Sequence, residues 1–159
     1  MNWDLDRIKV LFLCIRNSAR SQIAEEFLRK LGGDGFSVES AGLDPGEIDP
    51  YVVKVMKEEG VDLTDKKTND VWDLFKNERV YDYVITVCEK KWEEKCPTFP
   101  GIYKRENWEI PDPKGFQGEE EAKLDQYRKL KDIVKLRVEL FLDEIEKSGS
   151  DVSTGPVSK

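Results

Sequence analysis

Cys14 is followed six positions later by Arg20 and then by Ser21, in the stretch Cys14-Ile15-Arg16-Asn17-Ser18-Ala19-Arg20-Ser21. An apolar run ends on the cysteine, and five residues carry the chain to an arginine that opens an amphipathic segment. Backbone N–H groups of such a loop converge where a helix begins, against the positive end of its dipole, and so form a cradle for a tetrahedral oxyanion. Arg20 adds a planar fork for two oxygens. The same positive field favours the thiolate of Cys14, the form that attacks. Ser21 can donate its hydroxyl hydrogen to that sulfur. The plainer alternative makes Cys14 a small buried hydrophobe ending a strand. That leaves Arg20 unexplained, because a cation in the first turn of a helix opposes the dipole unless an anion sits there.

Two further thiols, Cys88 and Cys96, lie eight positions apart. If the intervening segment is helical, their sulfurs share one face but stand about 12 Å apart, too far for a disulfide without unwinding. A bond between them would require a conformational change, and strained, exposed disulfides are the ones a partner reduces readily. The alternative is two unrelated packing cysteines. A zinc site fits poorly, since the close paired spacing of structural sites is missing. Asp112 stands between Pro111 and Pro113. The prolines stiffen the loop and fix the direction of the carboxylate, which suits a general acid for the leaving oxygen of a substrate over Cys14. Asp-Pro pairs also simply make turns. The chain contains no histidine, so a Cys-His nucleophile pair is excluded and most transition-metal sites with it.

The elements that must position these groups follow from periodicity and caps. Residues 8–13 read as a buried strand and residues 18–31 as a helix closed by Gly32-Gly33. Residues 36–40 alternate as a second strand running into Ser40-Ala41-Gly42. Asp49 caps a helix with Pro50 at its first position and Gly60 past its end, and residues 70–75 form a short helix. Residues 83–87 make a third strand that delivers Cys88, residues 89–95 a helical segment, and residues 102–108 a weaker fourth strand. Leu124, Tyr127, Leu130, Val134, Val138, Phe141 and Ile145 form one apolar stripe of a long last helix, read as core packing, with Glu119–Glu121 at its N-terminus. The expected fold is α/β, a three-layer sandwich with a four-stranded parallel sheet, over a single catalytic domain at 1–147. A Ser-Gly-rich disordered tail is expected at 148–159. Such sheets bind ligands at the carboxyl ends of their strands, where Cys14 and Cys88 would both open.

With 159 residues and a formal charge of −7, the chain is a poor match for nucleic acid or anionic membranes, which need a basic face. No signal peptide or membrane-length apolar run is visible, so a cytoplasmic protein is expected. Three cysteines, an odd number, suit reactive thiols in a reducing compartment better than a disulfide framework.

Over residues 9–145 the sequence resembles the low-molecular-weight protein tyrosine phosphatase family, and within it the thioredoxin-coupled arsenate reductases. The resemblance rests on the strand-loop-helix segment from Val10 to Glu25, on Glu39-Ser40-Ala41-Gly42, on Val84-Ile85-Thr86-Val87-Cys88, on Cys96-Pro97-Thr98-Phe99-Pro100-Gly101 and on Asn107-Trp108-Glu109-Ile110-Pro111-Asp112-Pro113. It implies Cys14 as nucleophile, Arg20 as oxyanion clamp, Asp112 as general acid, and Ile15, Arg16, Asn17, Ser18, Ala19, Arg20 and Ser21 as the substrate-binding loop. Asn17 and Ser21 would also organise the loop and the thiolate. For the reductase branch it implies a relay in which Cys14 attacks arsenate, Cys88 attacks Cys14 with release of arsenite, and Cys96 attacks Cys88. Thioredoxin would then reduce the Cys88–Cys96 disulfide. A monomer with no tightly bound cofactor or metal is expected. Some related enzymes bind a potassium ion beside the loop, at positions matched by Asn17, Glu25, Ser40 and Asp70.

This sequence departs from the pattern in four places. It has one residue more between Cys88 and Cys96 than members with the relay commonly have, Ala19 where many carry a cysteine, and Asn107 for a frequent histidine. Arg16 is an added cation that could strengthen anion capture. Two other functions stay open: a low-molecular-weight phosphatase working through a phosphocysteine, and a non-catalytic oxyanion sensor. After Pro113 the chain reads Lys114-Gly115-Phe116, without the tyrosine pair that stacks on phosphotyrosine in phosphatases of this fold.

Overall fold

A computed structural model of the chain describes residues 7–99 and 102–154. Four strands form one parallel sheet: β1 (Ile8–Cys14), β2 (Phe36–Gly42), β3 (Tyr83–Thr86) and β4 (Lys104–Asn107), in the order β2-β1-β3-β4. Four α-helices accompany them: α1 (Arg20–Gly32), α2 (Pro50–Glu58), α3 (Val71–Lys76) and α4 (Glu120–Thr154). The apolar run of β1 forms a strand buried on both faces because β2 and β3 flank it and helices cover it. Its pleat divides the core. Val10, Phe12 and Cys14 join the cluster built with Phe27 of α1, Met56 of α2 and Val134 of α4. Leu11 and Leu13 join the opposite cluster, with Leu74 of α3, Tyr81 and Phe99.

The caps work as expected. Asp49 accepts from Tyr51 N at 2.9 Å with Pro50 at the first helical position, and Asp70 accepts from Trp72 N at 2.8 Å. The α4 stripe is buried from Leu124 to Phe141. Three expectations are corrected. The fourth strand is confined to Lys104–Asn107, ending where Trp108 turns its ring into the core beside Phe12. Residues 89–95 do not form an α-helix: a 3-10 turn spans Lys90–Lys95, as is common in short connectors. The last helix continues past Lys147 to Thr154, its hydrogen-bond ladder propagating into the expected tail. Residues 155–159 of that tail, and Pro100-Gly101 of the quoted motif, lie outside the described residues.

The sheet order sets the site. From β1 the chain crosses first to β2 on one side, and later to β3 on the other, so the connections diverge at the carboxyl ends of β1 and β3. A crevice opens at such a switch point. Cys14 is the last residue of β1 and pairs in register with Gly42; Leu13 pairs with Thr86, two residues before Cys88.

Candidate active site

The loop from Cys14 to Arg20 is fixed mainly through its carbonyls. Those of Cys14, Ile15, Arg16 and Ser18 accept from Leu43, Asp44, Gly46 and Asp49 N–H groups, at 2.8–3.2 Å. Gly42 lets the two segments approach: a Cβ there would stand 2.7 Å from Ile15 O and 2.9 Å from Asn17 N. Backbone atoms cannot yield as a flexible side chain can, so Gly42→Ala displaces the loop itself. Phosphate affinity, measured by titration calorimetry, is expected to fall at least about tenfold in that variant, because misplacements near 1 Å are costly in such sites.

Asn17 is the loop's hub. It adopts a left-handed backbone (φ 54°), a conformation asparagine tolerates better than most residues, and it is fully buried. Its N–H donates to Cys14 Sγ at 3.1 Å. Its Nδ2 donates to Ser21 Oγ at 2.8 Å and to Ser40 Oγ at 2.9 Å, while its Oδ1 accepts from Asn69 N at 2.9 Å and Gln22 Nε2 at 3.1 Å. With its oxygen already accepting from Asn17, Ser21 has its hydrogen available for Cys14 Sγ, 2.9 Å away. Two donors thus aim at one sulfur, as a thiolate nucleophile requires.

Behind Asn17 the network continues. Ser40 Oγ donates to Glu25, and Lys66 Nζ donates to Glu25 Oε1 at 2.7 Å and Gln22 Oε1 at 2.6 Å. The positions matched to a potassium site are therefore only partly gathered. Asn17, Glu25 and Ser40 are joined, but a lysine ammonium already neutralises Glu25, and Asp70 is engaged in capping α3. This donor set does not fit a resident potassium ion. Lys66 and Gln22 escaped the sequence reading because charged and amide residues on amphipathic segments ordinarily face water.

Cys14, Ile15, Arg16, Ser18, Ala19 and Arg20 line a cavity of about 360 Å³, with Asp112 and Pro113 on its far rim. Asn17 and Ser21 lie beneath it, holding the loop. The Arg20 side chain is only 6% exposed; Nη1 donates to Ile110 O at 3.2 Å, and Nη2 lies 3.8 Å from Asp112 Oδ2. The two readings of Asp112 are compatible: its Oδ1 caps a short 3-10 turn through Lys114 N at 2.9 Å, and this turn aims Oδ2 at Arg20. Arg16 lines the cavity but pairs with Asp44 at 2.8 Å, so part of its charge is spent outside the cradle. The helical spacing of Tyr127 predicts core packing. Tyr127 also walls the cavity, stacked on Tyr51 with centroids 5.1 Å apart and its hydroxyl donating to Asp49. Its helical spacing alone could not separate these roles.

The other two thiols part company. Cys88 lies in the same apolar cluster as Cys14 and is 1% exposed, whereas Cys96 packs against the cluster on the opposite face of the sheet, its sulfur 3.8 Å from Trp92 O. Expected on one face of a helix, they are separated instead by the 3-10 turn. None of the three cysteines is in a disulfide. Asn107, in the place of the frequent histidine, donates to Cys88 O at 3.1 Å and to Thr86 Oγ1 at 2.6 Å, fixing the end of β3. Burial, reinforced by the charge of Cys14 against the opposing effect of Arg20, pushes the Cys88 thiol up to about 12. A thiol raised in the folded state stabilises the fold below its ordinary value, and that contribution is lost as pH climbs toward the folded value. Urea unfolding is expected to show wild type losing about 1.4 kcal/mol more than Cys88→Ala between about pH 8 and about pH 10.

Residues 9–151 match the family described as low molecular weight phosphotyrosine protein phosphatase. An arsenate reductase of Bacillus licheniformis is 37% identical over 136 residues, covering 84% of this chain and 94% of the relative. A solved structure of an arsenate reductase in the phosphate binding state superposes with a TM-score of 0.68 at 30% identity, over 87% of this chain and 98% of the other. The Corynebacterium glutamicum thioredoxin-dependent arsenate reductase gives a TM-score of 0.68 at 30% identity, over 89% of this chain and 63% of its own. Among the described residues no helix is long and apolar enough to cross a membrane, and no cluster of acidic, cysteine or histidine side chains is suited to a metal.

Proposed function

We propose that this chain, which belongs to the low molecular weight phosphotyrosine protein phosphatase family, reduces arsenate to arsenite by a three-thiol relay drained by thioredoxin. The observation that carries the reading is the burial of a second thiol, Cys88, in the apolar cluster of the nucleophile and within the fields of Cys14 and Arg20. Ester hydrolysis has no use for it. The similarity to arsenate reductases supplies the substrate, and the C. glutamicum enzyme supplies the reductant by analogy.

The Cys14 thiolate attacks arsenic(V) held by Arg20 and the loop, and Asp112 delivers the proton with which an arsenate oxygen leaves as water. A Cys14 sulfur–arsenic bond results. Cys88, giving up its proton, attacks Cys14 Sγ; the sulfur–arsenic bond breaks, its electron pair stays on arsenic, and arsenite departs. Cys96 then attacks Cys88, Cys14 leaves as thiolate, and the Cys88–Cys96 disulfide passes to the thioredoxin dithiol. The last exchange needs the Lys90–Lys95 turn to rearrange, since the two sulfurs start on opposite faces of the sheet. A reducing cytoplasm is the setting this chemistry requires.

A second reading, hydrolysis of aryl phosphates through a phosphocysteine, is favoured by the size of the cavity and by Tyr127 on its wall, an aromatic ring from another part of the chain than the missing tyrosine pair. The two are separated by supplying arsenate with thioredoxin, thioredoxin reductase and NADPH. Arsenate-dependent NADPH oxidation over many turnovers is expected. Aryl phosphate hydrolysis without it leaves the phosphatase reading in place.

A further inference from the structure

Arg20 is the cation that must meet the oxyanion, yet it already has counter-charges. Its Nη1 lies 3.8 Å from Glu89 Oε1 as its Nη2 lies 3.8 Å from Asp112 Oδ2, while Nη1 also donates to Ile110 O. A guanidinium this buried needs such partners. Both carboxylates stay partly in water, with side-chain exposures of 45% and 39%, and with Glu109 they line one groove of about 310 Å³ beside the site. Asp112 has a chemical task as proton donor. Glu89 has none, and it occupies a telling position: it follows Cys88, whose carbonyl is tied to Asn107, and it precedes the 3-10 turn that leads to Cys96.

We propose that Glu89 is a positioning residue, an internal counter-anion of Arg20 that the substrate oxyanion displaces, so that anion capture unfastens the segment from Cys88 to Cys96. A bound oxyanion takes the guanidinium at hydrogen-bonding range, about 2.8 Å, which the 3.8 Å approach of Glu89 cannot match. It also brings negative charge close to Glu89 and so reverses the sign of that carboxylate's surroundings. Half-exposed, the side chain can leave for water at little cost. Its backbone is continuous with Cys88, so the displacement reaches the segment the relay must move. This coupling rests on the reductase reading, whereas the competition for Arg20 does not.

Inorganic phosphate is the probe, which keeps the test independent of arsenate turnover. Its affinity is read from protection of Cys14 against iodoacetamide, quantified on the Cys14 peptide by mass spectrometry. Glu89→Gln keeps the shape and removes the charge; it is expected to bind phosphate about three- to tenfold more tightly, with Glu89→Asp returning to the wild-type value. A gain in affinity is not something misfolding can imitate. In the wild type, phosphate is expected to speed trypsin cleavage after Lys91 and Lys95 several-fold; in Glu89→Gln that cleavage is fast without phosphate. The proposal is overturned if Glu89→Gln binds phosphate no more tightly, or if phosphate leaves the wild-type cleavage rate unchanged. Either result can coexist with full arsenate turnover, so it leaves the reductase reading standing.

Discussion

Cys14→Ser is expected to lose both arsenate reduction and aryl phosphate hydrolysis by at least about 10⁴-fold while still binding phosphate. The loop is shaped without the sulfur: its carbonyls are held by the segment from Leu43 to Asp49 and its hub, Asn17, by Gln22, Ser40 and Asn69. A serine hydroxyl would meet the same two donors, Asn17 N–H and the Ser21 hydroxyl, but neither can take its proton, and there is no histidine to do so. Arg20→Lys separates charge from shape at the same site. It keeps a cation but loses the fork, and about a 10²- to 10³-fold loss in kcat/KM is expected, with weaker phosphate binding. Steady-state rates beside phosphate titrations of both variants decide the matter. A serine variant retaining more than about a hundredth of either activity removes Cys14 from the nucleophile's role.

The strand, loop and helix around Cys14 were legible because each is specified locally. A β-branched and leucine-rich run has to be buried, the Asp49-Pro50 pair has to start a helix, and an arginine in a first turn asks for an anion. Parallel pairing then followed from the alternation of elements, and the carboxyl edge as the site from the sheet topology. Gly42 was visible only as part of a quoted motif. Its physical reason, the carbonyl of Ile15 at 2.7 Å from where a Cβ would stand, exists only once β1 and β2 are side by side.

Long-range polar contacts and side-chain direction were out of reach of sequence reading. Nothing local tells Lys66 to bury its ammonium against Glu25, 41 positions away, since most lysines in such segments are solvated. Tyr127 obeys the core stripe of α4 and also walls the cavity, because a helix face wide enough to pack on the sheet extends past its edge. The segment after β3 misled in a more consequential way. A polar run of helix-forming residues suggested an α-helix with two thiols on one face, but without an apolar stripe to anchor it the run folds as a 3-10 turn, on either side of which Cys88 and Cys96 pack in opposite layers.

That separation makes the two outer thiols experimentally distinguishable, and substituting each is expected to stop turnover at a different species. In Cys96→Ser the first two steps remain, so arsenate should yield one arsenite per protein and leave Cys14 and Cys88 joined, two hydrogens lighter by intact mass. In Cys88→Ser arsenic should remain on Cys14, with no free arsenite and no NADPH oxidation. Hydrolysis of an aryl phosphate, for which the proposed mechanism calls only on Cys14, Arg20 and Asp112, should stay within about threefold of wild type in Cys96→Ser. It should fall further in Cys88→Ser only by whatever a hydroxyl in the apolar cluster costs the fold, about 1–3 kcal/mol by urea unfolding. Multiple turnovers by Cys96→Ser with thioredoxin would mean that the reductant reaches a Cys14–Cys88 disulfide directly. Since Cys88 is 1% exposed, that outcome would require β3 to release its end before the third thiol acts, and the relay would shrink to two residues.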